Sequence, residues 1–272
     1  MKKYFALLFC ALLFSCDDGD FDIPTFNFEE QAIQYCGEVV FFKIDLKESL
    51  IIELNINEPT KDFLLTEMDA EIYTLTSGGA NNISYRTFNE VVTASYFCQA
   101  IPPVTPKTES EWLGTSNLYI TNTIVYGDDD GVDEQDLTVD TDNDGVLDYL
   151  DNDDDGDGVL TKNELDDDGN PLDTDLDGIY DYLDTDDDND NTLTILELLI
   201  DSDNDPESIP DYLDPNTSDA LATARDQIND SYIATYSMEF TLEDLLLENG
   251  TNFIKYEVYD YGTLTGSYTF YE

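Results

Sequence analysis

Carboxylates dominate the chemistry open to this chain, and they are regularly spaced. Between Gly127 and Pro215 lie 35 of its 63 acidic groups and one basic residue, Lys162. Like charges about 5 Å apart repel by roughly 1 kcal/mol in water, and several-fold more near a protein surface. Such a segment either stays extended as a solvated acidic spacer or takes up positive charge. The placement of the acids favours the second.

One phrase recurs: DTDNDGVLDYLD from Asp140, DTDLDGIYDYLD from Asp173, and DSDNDPESIPDYLD from Asp201, the last with Pro206 for the glycine and a two-residue insertion. Between the copies lie DDDGDGVLTKNE, from Asp153 to Glu164, and DDDNDNTLTILE, from Asp186 to Glu197. These two follow the twelve-residue calcium-loop template, in which carboxylates at positions 1, 3 and 5 converge on one point. A carbonyl at position 7 and a bidentate Glu at position 12 complete the oxygen shell, and Gly at position 6 allows the sharp turn. Asn191 replaces that Gly in the second loop and tolerates positive φ. Leu160 and Leu193 at position 8 are expected to face inward. Hard oxygen donors with no His or Cys nearby exclude zinc, copper and iron sites. Flexible multi-carboxylate loops favour calcium over magnesium.

The alternating tandem resembles the thrombospondin type 3 repeat, a largely irregular chain wrapped around a row of calcium ions, with linking Asp residues shared between sites. That resemblance implies about five ions. Asp140, Asp142, Asp144 and Asp148 would hold one; Asp153, Asp155, Asp157 and Glu164 a second; Asp173, Asp175, Asp177 and Asp181 a third. Asp186, Asp188, Asp190 and Glu197 would hold a fourth, and Asp201, Asp203, Asp205 and Asp211 a fifth, with Asp151, Asp184 and Asp214 as bridges. The half motif GDDDGVDE from Gly127 and the glycine-less Asp201 copy are expected to bind more weakly.

The elements that must carry these loops begin with an export signal. Lys2 and Lys3 precede an apolar run from Tyr4 to Phe14, too short to span a bilayer. Leu-Phe-Ser-Cys resembles the bacterial lipoprotein signal, which implies residues 1–16 as signal peptide plus lipidated Cys16; the alternative is ordinary secretion with cleavage near Ser15. The DDGD that follows resembles the tag sending lipoproteins to the cell face, and 17–30 reads as an acidic tether. Outer-membrane or cell-surface display, with the membrane as a partner through the lipid anchor, is the expectation. Once the signal is removed with Cys10, Cys36 and Cys98 remain. In an oxidising setting they read as a disulfide, or else as two separately buried thiols.

Residues 31–126 and 217–272 are rich in β-branched and aromatic residues. AIQYCGEVVFFKID, SLIIELNI, EIYTL, ISYRTF, SNLYITNTIVY, SYIATYSMEFTL, NFIKYEVYDY and TLTGSYTFYE read as strands. KDFLLTEM, NEVVTASYF, SDALATARDQI and LEDLLLENG read as short helices. The last 55 or so residues could hardly form a core alone. We therefore expect a mainly β fold: one discontinuous, antiparallel, β-sandwich-like domain with an irregular insert at 127–216. Two small β modules joined by a calcium rod are the competing arrangement. The YFCQAIPPVTP stretch from Tyr96, followed by EW near Glu111, resembles a group of small secreted bacterial lipoproteins and supports a single folding unit.

A net charge of -53 excludes nucleic acid as a partner. With no histidine, His-dependent base chemistry and Ser-His-Asp triads are impossible. No phosphate loop, GxGxxG or GxSxG occurs. The expectation is a non-enzyme with a structural or adhesive role; the alternative is a glycan- or protein-binding β module using the repeats as spacer. A glycoside hydrolase, the third reading, needs a facing carboxylate pair outside the loops. Tyr256, Tyr259, Tyr261, Tyr268 and Tyr271 read as core or sheet-face residues before a sugar platform, and Trp112 as a core anchor.

Overall fold

A computed structural model describes residues 26–37, 39–99, 101, 103–202, 208–218, 220–228 and 231–271. Residues 1–16, read above as a signal peptide and including Cys10 and Cys16, lie outside the described residues, as do the DDGD cluster, Asp203 and Asp205.

Eight strands form one antiparallel sheet: β1 (Gln34–Cys36), β2 (Val40–Asp45), β3 (Glu48–Glu53), β4 (Met68–Leu75), β5 (Asn82–Phe88), β6 (Thr108–Gly127), β7 (Ser231–Asn249) and β8 (Asn252–Tyr271). Their order is β1-β2-β3-β5-β6-β7-β8. Two strands share one edge of β6, because β6 is long enough to pair β5 through Gly114 and β4 from Ser116 onward. Instead of the two stacked sheets of a sandwich, this single sheet curls until its distant strands meet. Phe41 of β2 packs on Phe240 of β7 at 4.8 Å. The buried Tyr261 hydroxyl of β8 donates to the carbonyls of Phe41 and Leu50 at 3.2 and 3.0 Å.

Alternation with period 2 sends every second side chain of the long strands into this interior. In β6, Trp112, Leu118, Ile120 and Ile124 point inward; Tyr236, Met238, Phe240 and Leu242 do so in β7. Trp112 is the expected core anchor, and β6 begins four residues before it, so TESEWLG is strand. Tyr259 and Tyr261 are buried in the same core, and Tyr256 and Tyr268 are half-buried against it. Only Tyr271 of that set is largely exposed. Phe26 and Phe28 are not part of a solvated tether: Phe28 is fully buried, and Phe26 packs against Tyr85, Tyr256 and Tyr259. Lys43, also buried, donates to the Phe28 carbonyl at 2.8 Å. Burial pushes its pKa down, opposed by the charges of Asp260 and Glu29.

Helix α1 (Thr60–Leu64) begins one residue before the expected KDFLLTEM and covers only its first half, and α2 (Ala94–Phe97) falls within NEVVTASYF. LEDLLLENG is not helical: it belongs to β7 up to Asn249, with Gly250 in the turn that follows. Asp244, at φ 53°, makes a bulge opposite Ser116, so Leu242, Leu245 and Leu247 are all buried although their spacing is uneven. SDALATARDQI is also not a helix in its described part. Its amides are taken instead by carbonyls of the repeats, with Leu221 N–H bonding Leu196 and Arg225 N–H bonding Ile195. Cys36 and Cys98 form a disulfide with Cα atoms 5.2 Å apart.

Gly127, the last residue of β6, pairs with Ile233 of β7, and the ladder runs from there to Leu113 and Glu248. Both sequence segments therefore lie in one sheet. The acidic stretch leaves and re-enters it between two neighbouring strands.

Candidate metal centre

The repeats contain almost no regular structure. One-turn 3₁₀ helices occur at Asp148–Leu150, Thr161–Asn163, Asp181–Leu183, Thr194–Leu196 and Asp211–Leu213. Asp148 to Asp181 and Thr161 to Thr194 are both 33 residues apart, which sets the repeat length. Each loop is closed by the same backbone hydrogen bond, from the position-9 N–H to the carbonyl just before position 1. These run from Asp148 to Val139, Thr161 to Asn152, Asp181 to Leu172 and Thr194 to Thr185, at 3.0 to 3.1 Å. In the Asp201 copy the bond survives the insertion, from Asp211 to Ile200 at 3.3 Å.

Inside each ring the aspartates fold the chain themselves. Asp142, Asp144, Asp155, Asp157, Asp175, Asp177, Asp188 and Asp190 each use Oδ1 to accept the N–H two residues on, at 2.6 to 3.1 Å. Such Asx turns curl the backbone and leave the second oxygen for other partners; that of Asp175 accepts from Asn189 Nδ2 at 2.9 Å. Positive φ is needed at position 4 as well as position 6: Asn143 and Gly145, Gly156 and Gly158, Leu176 and Gly178, Asn189 and Asn191 all adopt it. Asn191 thus does the work of the template glycine, at φ 77°. Leu160 is only half-buried and Leu193 is 45% exposed, contrary to expectation. At position 7, Val159 and Thr192 are buried instead, whereas Ile179 at the same position is 47% exposed.

Four groups of carboxylates converge in these loops so that one oxygen from each member lies within 4.8 Å of the others. They are Asp140, Asp142 and Asp144; Asp173, Asp175 and Asp177; Asp186, Asp188 and Asp190; and Asp155, Asp157, Glu164 and Asp187. Asp142 and Asp144 of the first group line a cavity of about 20 Å³, shared with Asp151, Asp153 and Gly156. That is room for one water or one ion. An added Cβ on Gly156 would meet Asp142 Oδ2 at 2.5 Å, so this wall accepts only glycine without a shift. Asp184 lies beside the second group, with Asp177, Asp175 and Asp173 raising its pKa after burial. Glu197 belongs beside the third: both its oxygens are buried without a hydrogen bond, and burial, then Asp188, Asp190 and Asp186, push its pKa up to about 8.

Several predicted ligands are placed otherwise. Asp148 and Asp181 do not reach their groups: each takes the N–H and hydroxyl of the position-2 threonine, Thr141 and Thr174, on its two oxygens at 2.7 to 2.8 Å. Asp211 likewise accepts Ser202 N–H at 2.8 Å. These position-9 carboxylates brace the turn. Asp153 accepts Gly158 N–H at 3.1 Å and lies at the cavity of the preceding loop, outside its own loop's group. Asp214 accepts hydrogen bonds from Asn216 and Thr217, and the Asn216 hydrogen bonds hold its pKa down. Asp201 is in no group of the described residues, two members of its predicted set lying outside them.

The other two loops keep this N–H brace with the residue types exchanged: Thr161 and Thr194 stand at position 9 and accept the N–H of Asp154 and Asp187 at 3.2 Å. Position 2 is therefore free to carry a carboxylate outward. Asp187 sends its side chain to the group of the loop one repeat earlier, a ligand the template did not suggest. Its signal was the Thr-for-Asp exchange between positions 2 and 9.

The group it joins is the most enclosed. Asp155, Asp157, Glu164 and Asp187 are 1 to 3% exposed. Both oxygens of Glu164 and of Asp187 are buried with no hydrogen bond. Burial first, then neighbouring carboxylates, drives Glu164 to about 11, Asp187 to about 10 and Asp155 to about 9. Asp157 reaches only about 6, as hydrogen bonding and the Arg225 charge oppose burial. Arg225 donates from Nη1 to the Thr194 and Glu197 carbonyls and from Nη2 to the Asp157 carbonyl, lashing two loops together from the return segment. Nothing in the repeat pattern marked it.

Clusters of this kind can hold metal ions: all donors are carboxylate oxygens, and in the enclosed group Glu164 and Asp187 have no hydrogen-bond donor to offset their burial, which leaves a proton or a cation to do so. No family model, curated protein or solved structure matches the chain.

Proposed function

We propose that this is a calcium-binding, non-enzymatic protein of the bacterial cell surface, lipid-anchored through Cys16, with a structural or adhesive role. The observation that carries the reading is the enclosed group of Asp155, Asp157, Glu164 and Asp187, whose Glu164 and Asp187 oxygens have no protein partner. Four ionised carboxylates at that separation have no stable dry state without a cation. Flexible loops offering many oxygens suit calcium better than magnesium, which demands octahedral geometry and keeps its water. About five ions would bind, with affinity on the order of 0.1 to 1 mM as in extracellular modules. Two charges per ion leave the repeats strongly negative, so the bound form is stiff yet still repels acids.

The resemblance to thrombospondin type 3 repeats agrees with this use. A glycan platform has less support, since Tyr259 and Tyr261 are buried in the core. Calorimetric titration with calcium and with magnesium, alongside hydrodynamic size, tests the proposal. Compaction by calcium at several ions per chain supports it; no ordering, or an equal response to magnesium, sinks it.

A further inference from the structure

The arrangement around Asp187 occurs a second time, at the root of the repeats. β6 ends at Gly127, and the next residues repeat positions 3 to 6 of a full loop. Asp129 and Gly131 have φ 65° and 106°. Asp128 Oδ1 accepts Asp130 N–H at 3.1 Å, and Asp130 Oδ1 accepts Val132 N–H at 2.9 Å. By sequence this is half a motif. The structure supplies the remainder from the Asp153 loop, because Asp154 stands at position 2 there, as Asp187 does in the Asp186 loop.

One oxygen from each of Asp128, Asp130 and Asp154 lies within 4.8 Å of the others. Asp154 is 1% exposed and Asp130 3%. Both oxygens of Asp154, and Oε1 of Glu134 nearby, are buried without a hydrogen bond. The sole ion pair among the described residues is Arg86 with Glu111, far along the sheet, so no Lys or Arg of the described chain neutralises this group. Asp154 contributes to its own loop only through its backbone N–H, which bonds Thr161 Oγ1. Its carboxylate has no function within that loop.

We propose that Asp128, Asp130 and Asp154, with Glu134 beside them, form a further divalent cation site at the junction of sheet and repeats. It takes a hard cation, calcium on the reading above, on which this inference rests. Asp128 follows the last paired residue of β6 directly, and the Asp148–Leu150 turn packs against β6 and β7. An ion here ties the exit of the sheet to the second loop, 24 residues after Asp130, and so fixes the direction in which the repeats leave.

The test is the number of calcium ions retained by the full chain in native mass spectrometry, for wild type, Asp154→Asn and Asp130→Asn. Amide exchange at 126–132 and 231–236 is followed with and without calcium. Removing a buried like charge relieves repulsion, so both variants fold, which strand circular dichroism verifies. The expected result is one ion fewer in each variant, with loss of the calcium-induced slowing of exchange at the junction. Asp187→Asn, in contrast, keeps that slowing. An unchanged ion count in both variants overturns the junction site while leaving calcium binding by the repeats intact. A wild type that retains no calcium overturns the functional reading itself.

Discussion

The sheet and the repeats solve the problem of an interior in opposite ways. The sheet fills its centre with Phe28, Phe41, Phe63, Tyr85, Phe240 and Tyr261, whose burial is favourable as soon as the strands meet. In the repeats Val159 is the one buried apolar side chain among the described residues, and the other buried positions are chiefly Asp, Glu and Thr. The first interior completes itself on folding; the second needs something from solution. On the proposed reading, one chain holds a region stabilised by its own apolar packing and another whose stability follows ion activity.

The largest effect that can break this contrast is chelation. With EGTA the 127–216 region is expected to lose protease resistance entirely, while the sheet keeps its protection; peptide mapping of the cleavage sites checks this. Equal loss in both regions would show that the sheet depends on the ions too.

Acid sharpens the contrast next. Glu164, Asp187 and Asp155 have pKa values raised by burial to about 11, about 10 and about 9. Groups raised in the folded state stabilise it when protonated. In ion-free protein their contribution is therefore full below the ordinary carboxylate range, near pH 4, and is lost as pH rises towards 9 to 11. With calcium the trend reverses, because protons compete for the same oxygens. Hydrodynamic radius measured across pH, with and without calcium, should give two curves of opposite slope.

Reduction of Cys36–Cys98, or its replacement by serines, acts on the other side. The bond closes a separation of 62 residues, which corresponds to about 4 kcal/mol in the chain-entropy model. Denaturant unfolding of the sheet should fall by that order, with the calcium count unchanged. The smallest effect is local: Leu176 is 83% exposed and adopts φ 64° at position 4 of its loop. Leu176→Gly should relieve about 1 kcal/mol of strain, read as tighter calcium binding at that loop and no change in the sheet.

Legibility followed the same divide. Strands with clean alternation, such as SNLYITNTIVY, were readable because one face must be apolar. The LEDLLLENG segment misled because the Asp244 bulge turns period 2 into the i, i+3 spacing of a helix. In the loops, the carboxylates at positions 3 and 5 were readable from the template. The roles of Asp148, Asp181 and Asp211 were not, since a carboxylate that braces a turn and one that binds an ion look alike in sequence. Asp187 and Asp154 were missed because they serve loops other than their own. Arg225 bonds only to carbonyls, which every residue type supplies.

The pairing of Gly127 with Ile233 has an evolutionary and mechanical corollary. Neighbouring strands are separated by about 5 Å whatever lies between them in the chain, so the sheet is indifferent to the length of what protrudes there. Units of 33 residues could be gained or lost without disturbing a single rung of the ladder. A pull on the tip would load β6 and β7 at their shared end, parting the two strands one hydrogen bond at a time.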